Sequence, residues 1–397
     1  MPFIDPRPDA AALSSFLRLC GDRAWTARLA DLALRAQAGP LQGRAAQQRH
    51  AVELVLARMA EPAALARASL AERRILAFAQ ETAKLANKLP PAPRRKLKDR
   101  LVEGLSGEAT LIPLFHLVRS AALYRSRGFE VRLDGLVEGA PYDLLIERGG
   151  IAAEVACETV SAEEGRPVHR GDWYALVDRI NPDLQTWLAA HPGRYLLKMT
   201  LPEGLAGGEK TAVLHQRIMA LLAAEKRQDA GADAVLKLDP LLLAGAQATL
   251  PARLRAQFGP EAHLAVTTAP GAGSVFVMAA RAGKENAVAQ AVSRRMAAAA
   301  EARLTGSRPA ILAMFVDDVN KAEWRSLRET LELEGAARRF LTDPLAKPVV
   351  AVACASRMEL FGFAPPDAAE GGELRFRSPT HAAGRSAALA PAVLSSV

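Results

Sequence analysis

Between Ser106 and Ala355 the chain repeats one alternation, and this restricts its fold more than any other feature. Apolar runs of strand length include YDLLIE, IAAEVACET, RYLLKMTLP, HLAVTTA, SVFVMAA, PAILAMFVDDV and KPVVAVACA. Segments with helical spacing of apolar residues separate many of them, such as TLIPLFHLVRSAALYRSRG, KTAVLHQRIMALLAAEK and KENAVAQAVSRRMAAAAEARL. FEVRLDGLV and DAVLKLDPLLL also read as strands. Strands alternating with helices predict an α/β protein, a sheet with helices on both faces.

The first hundred residues read differently. Val52, Val55, Leu56 and Met59 recur at helical spacing. Ser69-Leu70-Ala71-Glu72 has the form of a capping box, with Ile75, Leu76, Phe78 and Leu85 on the apolar face that follows. Prolines 90, 91 and 93 stop that helix. The expected organisation is a helical region over 1–105 and one α/β domain over 106–365. The tail over 366–397, rich in Pro, Ala, Gly and Ser, is expected to lack packed structure.

Composition narrows the class of partner. The formal net charge of +8 favours polyanions, of which nucleic acid is the commonest. The run Arg94-Arg95-Lys96-Leu97-Lys98 is its densest basic stretch, readable as a phosphate contact or as a solvated face. Cys20, Cys157 and Cys354 are far apart, which indicates neither a zinc site nor a disulfide framework and fits a reducing cytoplasm. The N-terminal segment lacks the order of a signal peptide, and no uncharged apolar run approaches the ~20 residues that span a bilayer. A chain without a membrane partner, able to self-associate through its N-terminal helices, is expected.

The segment PYDLLIERGGIAAEVACET carries acidic residues where a packed hairpin should be apolar. Asp143 opens the first run, Arg148-Gly149-Gly150 forms a turn, and Glu154 and Glu158 lie in the second run. Strand side chains alternate, so Glu154, Ala156 and Glu158 share one face. A buried carboxylate needs compensation by an arginine, a metal ion or water. Carboxylates clustered at strand ends suit Mg²⁺, which takes oxygen ligands and keeps several waters.

The order helix, strand, strand with Asp143, strand with Glu154, helix, strand over residues 106–202 resembles the PD-(D/E)XK, or restriction-endonuclease-like, nuclease superfamily. Pro141-Tyr142-Asp143 and Glu154-Val155-Ala156 carry the resemblance, and Glu108 matches an acidic residue found before the first helix in many members. It implies a mixed β-sheet core flanked by helices and a metal-dependent phosphodiesterase acting on DNA or RNA. Asp143, Glu154 and Glu108 would hold Mg²⁺ or Mn²⁺, and the ion would activate a water. One departure is plain: Ala156 stands where the family has the lysine that orients the water and stabilises developing charge. Lys198, in RYLLKMTLP, could supply the missing cation, or Glu158 could add a ligand. Otherwise the site is silent, and the scaffold binds nucleic acid or protein without cutting.

Arg166, His169 and Arg170 are candidate phosphate contacts, with Trp173 or Tyr174 as a stacking surface for a base. His116, between Phe115 and Leu117, reads as a core histidine. Asp317-Asp318 ends an apolar strand, a ligand-prone edge in open α/β sheets and also an ordinary helix cap. Cys157 should face away from Glu154 and has no neighbouring histidine in sequence, which argues against a cysteine nucleophile. No phosphate-binding glycine loop, dinucleotide fingerprint or GxSxG elbow occurs.

Overall fold

The structure is a computed structural model that describes residues 9–242, 250–259, 262–269, 273–284, 286–363 and 367–395. It is α/β, with two mixed sheets and a helical N-terminal region. In chain order the strands are β1 (Glu130–Arg132), β2 (Leu144–Arg148), β3 (Ile151–Ser161), β4 (Arg194–Leu201), β5 (Gln228–Ala230), β6 (Val235–Pro240), β7 (His263–Thr268), β8 (Val275–Ala282), β9 (Ala310–Asp317), β10 (Val349–Ser356) and β11 (Leu374–Arg377). The first sheet has the order β1-β2-β3-β9-β10-β11 and the second β5-β6-β4-β8-β7.

The chain forms two compact units. One comprises Met1–Ala33, Gln47–Glu164 and Ala289–Val397, and holds the first sheet. The other comprises Leu34–Ala46 and Gly165–Val288, and holds the second.

In the first unit β1, β2 and β3 form an antiparallel meander. Gly149 and Gly150, at φ +57° and +74°, make the two-residue turn between β2 and β3. Positive φ at both central positions suits the twist of the flanking strands, and glycine takes it without strain. β9 and β10 then add in parallel, and β11 closes the sheet antiparallel to β10. Every residue of β9 and β10 is buried, as expected of central strands covered on both faces.

The strand beside β3 departs from expectation. The sequence order assigned that place to RYLLKMTLP, but this segment is β4, in the second sheet beside β6 and β8. β9 takes the place instead. The difference follows from side-chain pattern: β4 alternates and exposes Lys198 and Thr200, whereas β9 is apolar on both faces. The tail also departs from expectation. It contributes β11, which pairs with the edge of β10, and Leu389, Ala392 and Val393 are buried in the core. Few apolar residues suffice when each fills a place beside an otherwise unpaired strand.

The N-terminal helices share a core with the first sheet. Phe16, Phe78, Phe115 and Phe315 form an edge-to-face chain with ring centroids 5.4, 5.6 and 6.3 Å apart. Leu76, Phe78 and Leu97 are buried in this core. Ser69 and Glu72 form the expected capping box at the start of the helix Leu70–Lys88. Ser69→Ala removes one of these reciprocal bonds and should cost about 1 kcal/mol, read as a small drop in thermal midpoint. Among the described residues no helix is long and apolar enough to cross a membrane.

Candidate acidic cleft in the first unit

The hairpin register decides which acidic residues meet. Leu144 pairs with Val155, and the Asp143 N–H donates to the Val155 carbonyl at 3.0 Å. Asp143 thus stands just before the first registered pair of β2 and is bonded to Val155 out of step with the ladder. Glu154 and Glu158 share one face of β3, and the Asp143 carboxylate comes to Glu158 through a common arginine. β9 continues this face with Leu312 and Met314, the partners of Ala156 and Glu158.

The three carboxylates have different neighbours. Asp143 accepts from the Cys157 N–H at 2.9 Å and from Arg303 Nη2 at 2.8 Å, and Arg100 lies 3.7 Å away. Glu158 accepts from Arg303 Nη1 at 2.6 Å. Arg303 Nε donates to the Pro141 carbonyl at 2.5 Å, so each guanidinium nitrogen is engaged. Arg303 ends the helix Val288–Arg303, where the helix dipole favours a cation. Glu154 is fully buried and turned to another partner: it accepts from the Thr305 N–H at 2.9 Å and from the Thr305 hydroxyl. Arg308 stands 3.9 Å from it. Gly306, at φ +72°, forms the turn that carries Thr305 to this position.

A cleft of about 550 Å³ opens beside Asp143 and Glu158. Glu108 is exposed on its wall, and Asp317 and Asp318 close one end. Arg49 binds Asp318 at 2.8 Å, Ser161 Oγ donates to the same carboxylate at 2.7 Å, and Arg357 donates to Asp317 at 3.0 Å. Burial drives the Asp317 carboxyl above its usual range, against the pull of Arg357. Burial also pushes Asp318 upward, but Arg49, Ser161 and Arg357 outweigh it and hold the group below its usual range. Burial raises Glu158, opposed by Arg303 and Arg295. Burial likewise raises the Cys157 thiol well above its ordinary value, so it is a poor source of thiolate.

The other candidate residues lie elsewhere. Lys198 is on β4 in the second unit and binds Asp239 at 2.9 Å. The basic groups at Asp143 are Arg303, which binds it, and Arg100, 3.7 Å away, and sequence reasoning missed both. Arg166, His169, Arg170 and Trp173 also belong to the second unit. Trp173 does not offer a free face to a base: it is buried with Leu176, Val177 and Ile180 and packs 5.8 Å from the His263 ring. Arg166 is buried as well, whereas His169 is partly exposed, 3.6 Å from Asp172 at the start of the helix Arg170–Ala190. That helix runs through Pro182 without a break. His116 is in the core as expected, with Nε2 2.8 Å from the Ala313 carbonyl.

The donor set fits a divalent ion poorly. Asp143 and Glu158 meet on a guanidinium, and Glu154 is tied to Thr305. Among the described residues no group of three or more His, Cys, Asp or Glu side chains is placed to hold a metal ion. Comparison with protein-family models, curated proteins and solved structures gave no match.

Proposed function

We propose that this chain is a nuclease-like protein that has kept the scaffold and lost the metal chemistry, and that it works by holding nucleic acid. Support for a PD-(D/E)XK relationship comes from connectivity. With Gly165–Val288 taken as an insertion, the order becomes helix Ile112–Ser126, three antiparallel strands, helix Val288–Arg303 and the parallel strand β9. Asp143 then immediately precedes the second strand and Glu154 lies in the third, close to the placement that the resemblance implies.

The observation that carries the silent reading is Arg303 between Asp143 and Glu158. A guanidinium supplies the compensating charge that an ion would otherwise bring. It stays protonated at any physiological pH, so it cannot serve as a general base. Position 156 offers only a buried methyl group. The wild-type protein should therefore bind DNA or RNA at low salt and leave both intact in Mg²⁺ and Mn²⁺. Cleavage that disappears in Glu158→Gln would overturn the reading.

One observation favours the alternative of a metal-dependent phosphodiesterase. Seven carboxylate side chains line the cleft against four guanidiniums, an excess that attracts cations and repels phosphate. Asp143 and Glu158 would then hold the ion after Arg303 swings away. A bound ion would polarise a phosphoryl oxygen and lower the pKa of a water. Metal-dependent cleavage would decide for this alternative.

A further inference from the structure

A second concave surface of the first unit has the opposite charge. It is a groove of about 430 Å³ beside the helices Ala10–Cys20 and Pro91–Gly104. Arg18, Arg94, Arg95 and Lys98 line it over a floor that includes Leu89 and Pro91, and no carboxylate lines it. All four cations are exposed. Among the described residues none of the four forms an ion pair; Arg18 contacts Ser15 and Arg94 contacts Asn87, both neutral. We infer that this groove is a docking site for the phosphate backbone of a nucleic acid.

Three physical arguments lead there. First, Arg94 and Arg95 stand four and three residues before Lys98, so their charges share one helix face and repel one another. Secondly, Arg94 and Arg95 follow closely on the N-terminus of that helix, where its dipole also disfavours cations. Asp99 is on the same helix but forms no ion pair with these cations among the described residues and does not line the groove, and a row of phosphates would relieve their repulsion. Thirdly, the geometry disfavours a lipid surface. The apolar residues Pro93, Leu97 and Leu101 of the helix are buried in the protein, and its exposed apolar residues Pro91 and Ala92 are too small to insert as an amphipathic face into a bilayer. The groove is thus suited to phosphate in a way the acid-rich cleft is not. It carries no catalytic group, so the inference stands whether or not the cleft cuts.

The test is fluorescence anisotropy of a labelled duplex and a labelled single strand across a salt series, with the full-length protein. The exposed variant Arg94→Ala/Arg95→Ala/Lys98→Ala is compared with wild type after their melting temperatures are shown to agree. Each phosphate contact contributes a slope of about −0.9 to log K against log salt on duplex DNA. The variant should lose roughly 2 to 3 units of that slope, and about ten- to a hundred-fold in affinity at low salt. Unchanged slope and affinity would overturn the inference. So would wild-type protein that binds neither nucleic acid at low salt, whether or not it binds phosphatidylserine vesicles.

Discussion

Replacing Arg303 with alanine should lower the free energy of unfolding by roughly 3 kcal/mol, near the low end for breaking a buried ion pair. Asp143 is 6% exposed, and the change leaves it with Arg100 at 3.7 Å as its nearest remaining cation. Glu158 loses a bond of 2.6 Å and keeps the burial that raises it. The estimate is kept low because the Arg303 side chain is itself 30% exposed, so water replaces part of what it supplied. The same variant should gain something wild type lacks. Two neighbouring carboxylates stripped of their shared arginine, with only Arg100 and Arg295 left near them, repel, and Mg²⁺ or Mn²⁺ relieves that repulsion. Urea unfolding in metal-free buffer and in millimolar Mn²⁺ reads both effects. Lys at 303 should restore only part of the stability, because one ammonium cannot reproduce the planar fork that spans two carboxylates. A variant as stable as wild type, or one that Mn²⁺ does not stabilise, contradicts this account of the cleft.

Acid should destabilise the protein through His116. The ring is fully buried, and burial lowers its pKa from 6.5 to about 4, against the favourable bond to the Ala313 carbonyl. The folded state therefore prefers the neutral ring, while the unfolded chain takes a proton near pH 6.5. The stabilisation is complete above the unfolded pKa and is lost as pH falls through the folded pKa, so the window lies between about pH 6.5 and 4. At roughly 1.4 kcal/mol per pKa unit, the full loss is about 3 kcal/mol. Carboxylates titrate at the lower end of this window, so the variant His116→Gln isolates the effect. It keeps an N–H donor for Ala313 and cannot gain the proton. Its urea midpoint should vary less with pH than that of wild type across the window. Parallel curves for the two proteins would remove His116 as the cause.

Local features were legible in the sequence because local rules determine them. Ser69 and Glu72, the Gly149-Gly150 turn and the alternation placing Glu154 and Glu158 on one face involve neighbours a few residues apart. The choice of strand beside β3 was not local. RYLLKMTLP and PAILAMFVDDV both read as strands, and only burial on both faces distinguishes β9 as the central one. The insertion of Gly165–Val288 hid the connection, since β3 and β9 lie far apart in sequence yet pair in register from Glu154 to Ser161. Arg303 escaped notice for the same reason. At the end of an alanine-rich helix it looks like an ordinary cation at a helix C-terminus, and its partner Asp143 is 160 residues away. A weak signal was present: Glu154 and Glu158 in an apolar strand required some cation, and the helix leading into the following strand was a place to look. Trp173 was expected as a stacking surface for a base because it stands beside the charged segment Arg166 to Arg170. The helix already begins at Arg170, and its spacing turns Trp173 inward with Leu176 and Ile180.

The central claim is that an arginine, not a metal ion, compensates Asp143 and Glu158. Direct titration of wild-type protein with Mn²⁺, followed by the loss of the free-ion electron paramagnetic resonance signal, tests it without relying on turnover. The account predicts no saturable site in wild type and one site in Arg303→Ala that Glu158→Gln removes. A stoichiometric Mn²⁺ ion in wild type, released by Asp143→Asn or Glu158→Gln, would contradict it.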